Sequence, residues 1–445
     1  MRLSSLTLVA AATAASAAPR YVMYFDEWHK GTLPPKNVTS GINYVMVAFA
    51  PSTIFNSNSS YEPFMPLNKV RALFDNGTKV CMAVGGWGDT TGFSAGTATE
   101  ETRKTYAKNV ADAVKNLGYD CVDIDWEYPG GNGEDYRKIP NDKKVAEIGT
   151  YPLLLQEIKT AIGSKELSIA VPARENDMMA FTAAQVPKIN KIVDFINVMS
   201  YDLMNRRDNV TNHHTSVVGS AHAIDIYIKR GMSPCKMNLG FALYAKFFTT
   251  KDGVECKEPT GCDTAVLEAA DGTDTGLSGA FTFEAESYKN ASFTKALENG
   301  KQDAKNGGQW YWDPSTKQYW TWDTPDLISR KFKEIVVAKK LGGVFAWSLA
   351  EDSHDWSRLK AMHAGVKAIN WGILQLIMRT SNQRSVDKNG VLVLCSSEDT
   401  LKAGLAQQTM VAIHTIPPQP THPLITSSYV LCTVSSDTSS RPYDA

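Results

Sequence analysis

The sequence predicts an α/β fold, a (β/α)8 TIM barrel with a small α+β insertion between strands 7 and 8. Three observations predict it: short apolar runs recur eight times, helix-periodic segments separate them, and one long aromatic-rich interval interrupts the last repeat. The runs are Tyr21–Phe25, Tyr44–Phe49, Val80–Val84, Cys121–Trp126, Leu167–Val171, Phe195–Met199, Met237–Phe241 and Gly343–Trp347. Continuous apolar runs of this length suit strands covered on both faces, as in parallel sheets. Thr102–Leu117, Tyr151–Ile162 and Asp326–Lys340 carry the amphipathic spacing of covering helices. Eight such repeats in one domain suit a closed barrel. A doubly wound open sheet competes, weakened because no Gly-rich phosphate loop opens the first helix.

The interval from Tyr244 to Trp322 is too long for a structureless loop. It holds Phe281, Phe283, Tyr288, Trp310, Tyr311, Trp312, Tyr319 and Trp320, and reads as an insertion with limits at 245–320. The domain carrying it spans 18–369. Beyond it the character changes over 370–445, with Pro, Thr and Ser enriched from Thr415 onward and no sustained period, which predicts a poorly ordered extension to which no function is attached. At the other end, Arg2, the apolar run Leu6 to Ala12 and Ala15-Ser16-Ala17 have the form of a cleavable secretory signal over 1–17. No later stretch is apolar and long enough to span a bilayer. The expectation is a secreted, extracellular monomer.

Composition narrows the partners. Lys plus Arg number 46 against 47 Asp plus Glu, which gives no global electrostatic reason to expect nucleic acid or an anionic membrane. Asn37, Asn58, Asn76, Asn209 and Asn290 begin glycosylation tripeptides, which agree with secretion without establishing it. Of seven Cys, Cys256 and Cys262 sit close together in a Gly- and Pro-containing loop and are the expected local disulfide. Cys81 and Cys121 lie inside apolar runs and read as small core residues. No Cys/His cluster has the spacing of a metal site, so neither metal nor other cofactor is expected.

The decisive segment is Tyr119-Asp120-Cys121-Val122-Asp123-Ile124-Asp125-Trp126-Glu127-Tyr128. Strand alternation turns Val122, Ile124 and Trp126 toward the covering helices and Asp123, Asp125 and Glu127 into the barrel, about 6–7 Å apart at ~3.3 Å per residue. Three carboxyls in a row along a buried face cannot all ionise freely, so protons are shared and at least one pKa rises. A raised pKa is what a general acid needs. Glu127 comes last, at the carboxyl-end face where barrel active sites lie. Two plainer readings stay open at this point: an acidic solvent face on a half-exposed strand, and a divalent-cation site.

Asp120-x-x-Asp123-x-Asp125-x-Glu127, followed by Tyr128-Pro129, resembles the D-x-x-D-x-D-x-E signature of glycoside hydrolase family 18, the chitinases. Tyr24-Phe25 with Trp28, Ala83-Val84-Gly85-Gly86-Trp87, Met199-Ser200-Tyr201-Asp202 and Trp347-Ser348-Leu349 resemble the family's first, third, sixth and closing strands, in that order. The insertion resembles that of the deep-cleft branch. The resemblance implies a retaining, substrate-assisted glycosidase, an exception to the usual two-carboxylate scheme. Glu127 would be general acid and base, Asp125 would hold the substrate's acetamido N–H, Asp123 would share a proton with Asp125, and Tyr201 would align the acetamido group. Trp347 would floor the cleaved sugar, with Met199 and Asp202 in the same subsite and Tyr24, Gly86, Trp87 and Tyr128 as neighbouring contacts. The implied substrate is chitin or chito-oligosaccharide. N-glycan cores, cut by an endo-β-N-acetylglucosaminidase, and a non-catalytic chitin-binding lectin are the alternatives; retention of Glu127 with both aspartates speaks against the lectin.

Four positions depart from the family pattern. Cys121 stands where a small Gly is usual, Ala83 where a Ser is usual, and Tyr244-Ala245-Lys246 where an Arg would close the motif. Ala350 replaces an acid after the closing strand, with Glu351 and Asp352 following. Lys cannot reproduce a bidentate Arg contact, and the missing Ser hydroxyl bears on how Asp123 holds its proton. His213-His214 are placed in a loop near the cleft, pointing apart.

Overall fold

Alternation along the apolar runs sorts their side chains into two layers, and the fold follows from closing one layer inside the other. The computed structural model describes residues 18–369 apart from Asn58. The expected leader at 1–17, the extension at 370–445 and the Asn58 acceptor lie outside the described residues.

In chain order the strands are β1 (Arg20–Asp26), β2 (Tyr44–Ala50), β3 (Lys79–Gly85), β4 (Cys121–Asp125), β5 (Glu166–Pro172), β6 (Phe195–Met199), β7 (Met237–Ala242), β8 (Tyr244–Thr249), β9 (Ser278–Thr282), β10 (Lys301–Asp303), β11 (Gly308–Asp313), β12 (Gln318–Trp322) and β13 (Gly343–Trp347). The first seven and β13 close into a parallel barrel in the order β1-β13-β7-β6-β5-β4-β3-β2. Outward residues such as Val122, Ile124 and Trp126 join helix residues Tyr106, Val110, Leu154 and Ile158 in the main core, each burial contributing about 1.5–3 kcal/mol. Inside the barrel lies a smaller cluster that includes Val22, Tyr24, Cys81, Cys121 and Phe345.

The helix Glu100–Leu117 opens on a capping box between Thr99 and Thr102, carries Glu100 and Glu101 in its first turn, and ends at left-handed Gly118. The expected helix at Tyr151 begins earlier, spanning Val145–Ile162 with Pro152 inside it. Burial of Tyr151, Leu154, Leu155, Ile158 and Ile162 outweighs the bond that Pro152 cannot make. The added turn carries Glu147, which accepts from Gly130 N at 2.9 Å and Ser94 Oγ at 2.7 Å and so anchors the loop after β4. The third expected helix divides into Pro325–Lys331 and a π-helical stretch, Phe332–Val337.

The insertion is a five-stranded antiparallel sheet, β10-β11-β12-β8-β9, with the helix Ala291–Asn299 packed on it. Its aromatics serve mainly its own two cores: Phe283, Phe293 and Trp320 in one, Trp310 and Tyr319 in the other. Cys256 and Cys262 are disulfide-bonded in its loop. Cys81 and Cys121, expected as separate core residues, are also bonded to each other. The residues are 40 apart in sequence, but the β3–β4 register sets them side by side.

The β3 exit requires glycine. Gly85 has φ +106°, and a Cβ there would lie 2.2 Å from the carbonyl oxygen of Asp125. Gly86, at φ +91°, donates its N–H to that same oxygen at 2.8 Å. A side chain at 85 would wedge β3 from the acidic strand. Gly85→Ala is therefore expected to lower stability by at least ~2 kcal/mol. Thermal melts matching the parent would contradict this reading of the turn.

Candidate active site

Strand β4 delivers Asp123 and Asp125 into the barrel interior and ends there, and Glu127 follows two residues later on the carboxyl-end face. A cleft of about 800 Å³ opens there. Tyr24, Gly86, Trp87, Asp125, Glu127, Tyr128, Met199, Tyr201, Asp202 and Trp347 all line it. Asp123 sits beneath, fully buried. Cys256 and Cys262 are not among the lining residues.

Asp123 is heavily bonded. Tyr24 Oη donates to its Oδ2 at 2.6 Å, Ser168 Oγ to its Oδ1 at 2.5 Å, and Asn197 Nδ2 approaches Oδ1 at 3.3 Å. Asp125, 3% exposed, has an Oδ1 with no hydrogen-bond partner among the described residues. The first Asp of the signature plays a different part. Asp120 faces outward, pairs with Arg71 at 2.8 Å and accepts from Val80 N, tying β4 to β3.

Aromatic rings pave the floor and both ends. Trp347 stacks on Phe49 at 5.6 Å and 13°, and lies 5.7 Å from Tyr24. Trp28 and Trp87 are 62% and 49% exposed, and such large flat apolar faces open to water are unusual enough to mark contact surfaces. Non-proline cis peptide bonds occur at Ala48–Phe49, Glu127–Tyr128 and Trp347–Ser348. Opposite Glu127, Asp202 accepts from Tyr244 Oη at 2.8 Å, pairs with Lys246 Nζ at 3.0 Å and lies 3.6 Å from His214 Nδ1.

Residues 20–352 match Glycosyl hydrolases family 18. The chain belongs to that family. Chitinase 1 of Aphanocladium album is 27% identical over 311 residues, 65% of each chain. Endochitinase 1 of Metarhizium anisopliae is 28% identical over 295 residues, 62% of each. The chain thus spans just under two thirds of the length of these curated relatives. The crystal structure of a Rhizomucor miehei chitinase overlays 78% of this chain and 99% of its own with a TM-score of 0.64 at 18% identity. An Ostrinia furnacalis Group II chitinase catalytic domain, solved with a chito-oligosaccharide, gives 0.63 at 20%. At such identity these likenesses establish the fold.

The family 18 cleft of this chain has a distinctive proton inventory. Burial pushes Glu127 up to about 8, against a hydrogen bond from Tyr128, with the charges of Asp202 and Asp177 adding to the rise. Burial raises Asp123 to about 6, opposed by Ser168, Tyr24 and Asn197. Asp125 is raised well above the carboxylate range by burial and by the charges of Glu127 and Asp123. Burial works the same way on Asp202, but Lys246 and His214 overcome it and hold that carboxyl well below its usual range.

Several residues here were not expected. Ser168, Asn197, Phe49, Tyr244 and Glu351 all face the site or its floor. Glu351 turns toward the cleft, accepts from Ser348 N at 3.1 Å and faces His29 at 3.6 Å, while Ala350 is buried. Asp352 instead bonds the amides of Arg358 and Leu359 at the start of the helix Ser357–Ala368. His213 and His214 do point apart, but both are buried rather than cleft-lining: His213 bonds Asp303 and Thr321 of the insertion, and His214 backs Asp202. Among the described residues no group of His, Cys, Asp or Glu is arranged to hold a metal ion, and no helix is long and apolar enough to cross a membrane.

A carboxyl whose pKa rises on folding holds a proton that the unfolded chain releases, so stability falls as pH climbs from the unfolded to the folded value. For Glu127 that window runs from 4.5 to about 8. Glu127→Gln is expected to melt a few degrees higher than the parent near pH 8, the gain vanishing below pH 4.5. A gain independent of pH, or none, would contradict the raised Glu127.

Proposed function

We propose that this protein is a secreted chitinase that hydrolyses β-1,4 links between N-acetylglucosamine units with retention and with assistance from the substrate. The observation that carries the reading is Asp125: a buried carboxyl with an unpartnered oxygen, set between ionisable Asp123 and high-pKa Glu127. An acid in that state is suited to receive a polar N–H from a bound sugar.

In this mechanism Glu127, protonated at neutral pH, donates its proton to the glycosidic oxygen as the bond to the anomeric carbon breaks. The substrate's own N-acetyl carbonyl oxygen attacks that carbon and closes an oxazolinium ring. Asp125 holds the acetamido N–H and favours the charged ring, while Asp123 takes part of the proton they share. Tyr201, beside Phe345 and Tyr244, donates its hydroxyl to the acetamido oxygen and aligns the attack. Water, deprotonated by Glu127, then opens the ring. Trp347 supplies the apolar floor for the distorted sugar, Met199 packs beside it, and Asp202 keeps a fixed negative charge opposite Glu127. Tyr24, Gly86, Trp87 and Tyr128 shape the adjoining positions.

The polymer is favoured over an N-glycan core by the aromatic platforms Trp28 and Trp87, which suit a run of sugar rings. The insertion contributes less to that preference than its composition suggests, because its wall of the cleft is largely small and polar, including Ser278, Gly279, Ala280 and Thr282. Secretion is supported by the signal-like first 17 residues and by two disulfides within the described residues. The working form is a monomer that needs no metal or cofactor.

The test is a hexamer of N-acetylglucosamine incubated with the parent and with Glu127→Gln. Shorter N-acetylated products are expected from the parent, with at least a ~10³-fold loss in the variant. A fully deacetylated hexamer should resist both proteins. Cleavage of that substrate at a similar rate would contradict assistance by the acetamido group, and binding without cleavage would favour the lectin.

A further inference from the structure

We propose that Ser168 is a positioning residue: its β5 hydroxyl keeps Asp123 ionised, so that the proton of the buried aspartate pair resides on Asp125. The inference rests on the acid-row mechanism proposed above and names what sets its resting state.

On β4, Asp123 has one neighbour on each side: Ala83 on β3 and Ser168 on β5. Ala83 offers a buried methyl group and no donor. Ser168 Oγ lies 2.5 Å from Asp123 Oδ1. The remaining donors come from β1 and β6, Tyr24 Oη on Oδ2 at 2.6 Å and Asn197 Nδ2 on Oδ1 at 3.3 Å. The orientation of Asn197 is itself fixed from below. Its Oδ1 accepts from Asn238 Nδ2 at 2.9 Å, and Asn238 Oδ1 accepts from Arg20 Nε at 2.9 Å. Asn197 therefore has only its NH2 to turn toward Asp123.

Donors aimed at a carboxylate stabilise its charged form. Asp123 receives three, whereas Asp125 has an oxygen with no partner among the described residues. The shared proton follows that imbalance onto Asp125. The ionisable groups around Asp123 are Asp125 from its own strand, Tyr24 from β1 and Tyr151 from the covering helix. The Arg20 guanidinium is two amides away. Ser168 supplies the shortest of the three bonds, from the strand opposite the one that carries Ala83.

The test is the pH dependence of kcat and kcat/KM on the hexamer for Ser168→Ala, Ser168→Thr and the double variant Ser168→Ala/Ala83→Ser. Loss of a donor destabilises the anion and raises the first ionisation of the pair. The acid limb of Ser168→Ala is expected to move up by about one pH unit, with kcat reduced on the acid side and KM little changed. Ser168→Thr, which keeps the hydroxyl, should hold the parental limb, and Ala83→Ser should restore it by donating from the other side. An unmoved limb in folded Ser168→Ala overturns the proposal, as does a shift that Ala83→Ser fails to reverse. If Ser168→Ala does not fold, Ala83→Ser alone carries the test: an added donor moves the limb to lower pH, and no movement overturns the inference. Glu127→Gln, measured alongside, separates the two levels. Retained activity there overturns the acid-row mechanism itself, whereas lost activity with an unmoved Ser168→Ala limb overturns only the role of Ser168.

Discussion

Burying two carboxyl groups on one strand, beneath a third just past its end, is the constraint around which the barrel interior is arranged. Each charge removed from water costs several kcal/mol unless neutralised or bonded, and the row meets that cost differently at each step. Asp123, deepest, is surrounded by hydroxyl and amide donors from β1, β5 and β6. Asp125 and Glu127 are instead pushed toward the protonated state. Closing the barrel is what makes this possible, since only a closed sheet brings donors from β1, β5 and β6 to one carboxylate on β4. Fold and proton inventory are two descriptions of one arrangement.

The same logic extends to the cleft walls. Asp202, with a left-handed φ of 52°, is held by Tyr244, Lys246 and His214 and stays ionised where its neighbours do not. Its fixed charge is one of the influences that keep Glu127 protonated. Lys246, on the first strand of the insertion, thereby couples the insertion to the acid's environment as well as to the shape of the cleft. On the far side His29 sits among Asp26, Glu284 and Glu351, raised to about 9 against its own burial by a bond to Asp26 and by these three charges. It joins the β1 loop, the loop after β13 and the insertion with one cation.

Much of this was legible in the residues. The eight barrel strands appear as apolar runs because both faces are covered, and an acid at every second position of such a run stands out against that background. The same signal was available for Ser168, Asn197 and Asn238, which are lone polar residues at inward positions of otherwise apolar strands. Each taken singly is a weak sign, and only register shows that they converge on Asp123. Register also explains Cys81 and Cys121, whose separation in sequence hides their adjacency across β3 and β4. The insertion was visible as an aromatic-rich interval, but composition does not tell whether a ring packs in a private core or faces a cleft; Trp320 and Phe293 do the former. His213 and His214 do lie in a loop beside the cleft, but their burial was not legible, because the Asp303 and Thr321 partners of His213 come from distant segments.

The central claim is that the nucleophile belongs to the substrate and that Glu127 serves as acid and then as base from a single face. The most direct measurement is the anomeric configuration of the first products, followed by proton NMR faster than mutarotation while the hexamer is cleaved. The account predicts that the new reducing ends appear as the β anomer and relax slowly toward equilibrium. Initial appearance of the α anomer would mean direct displacement by water and would contradict it.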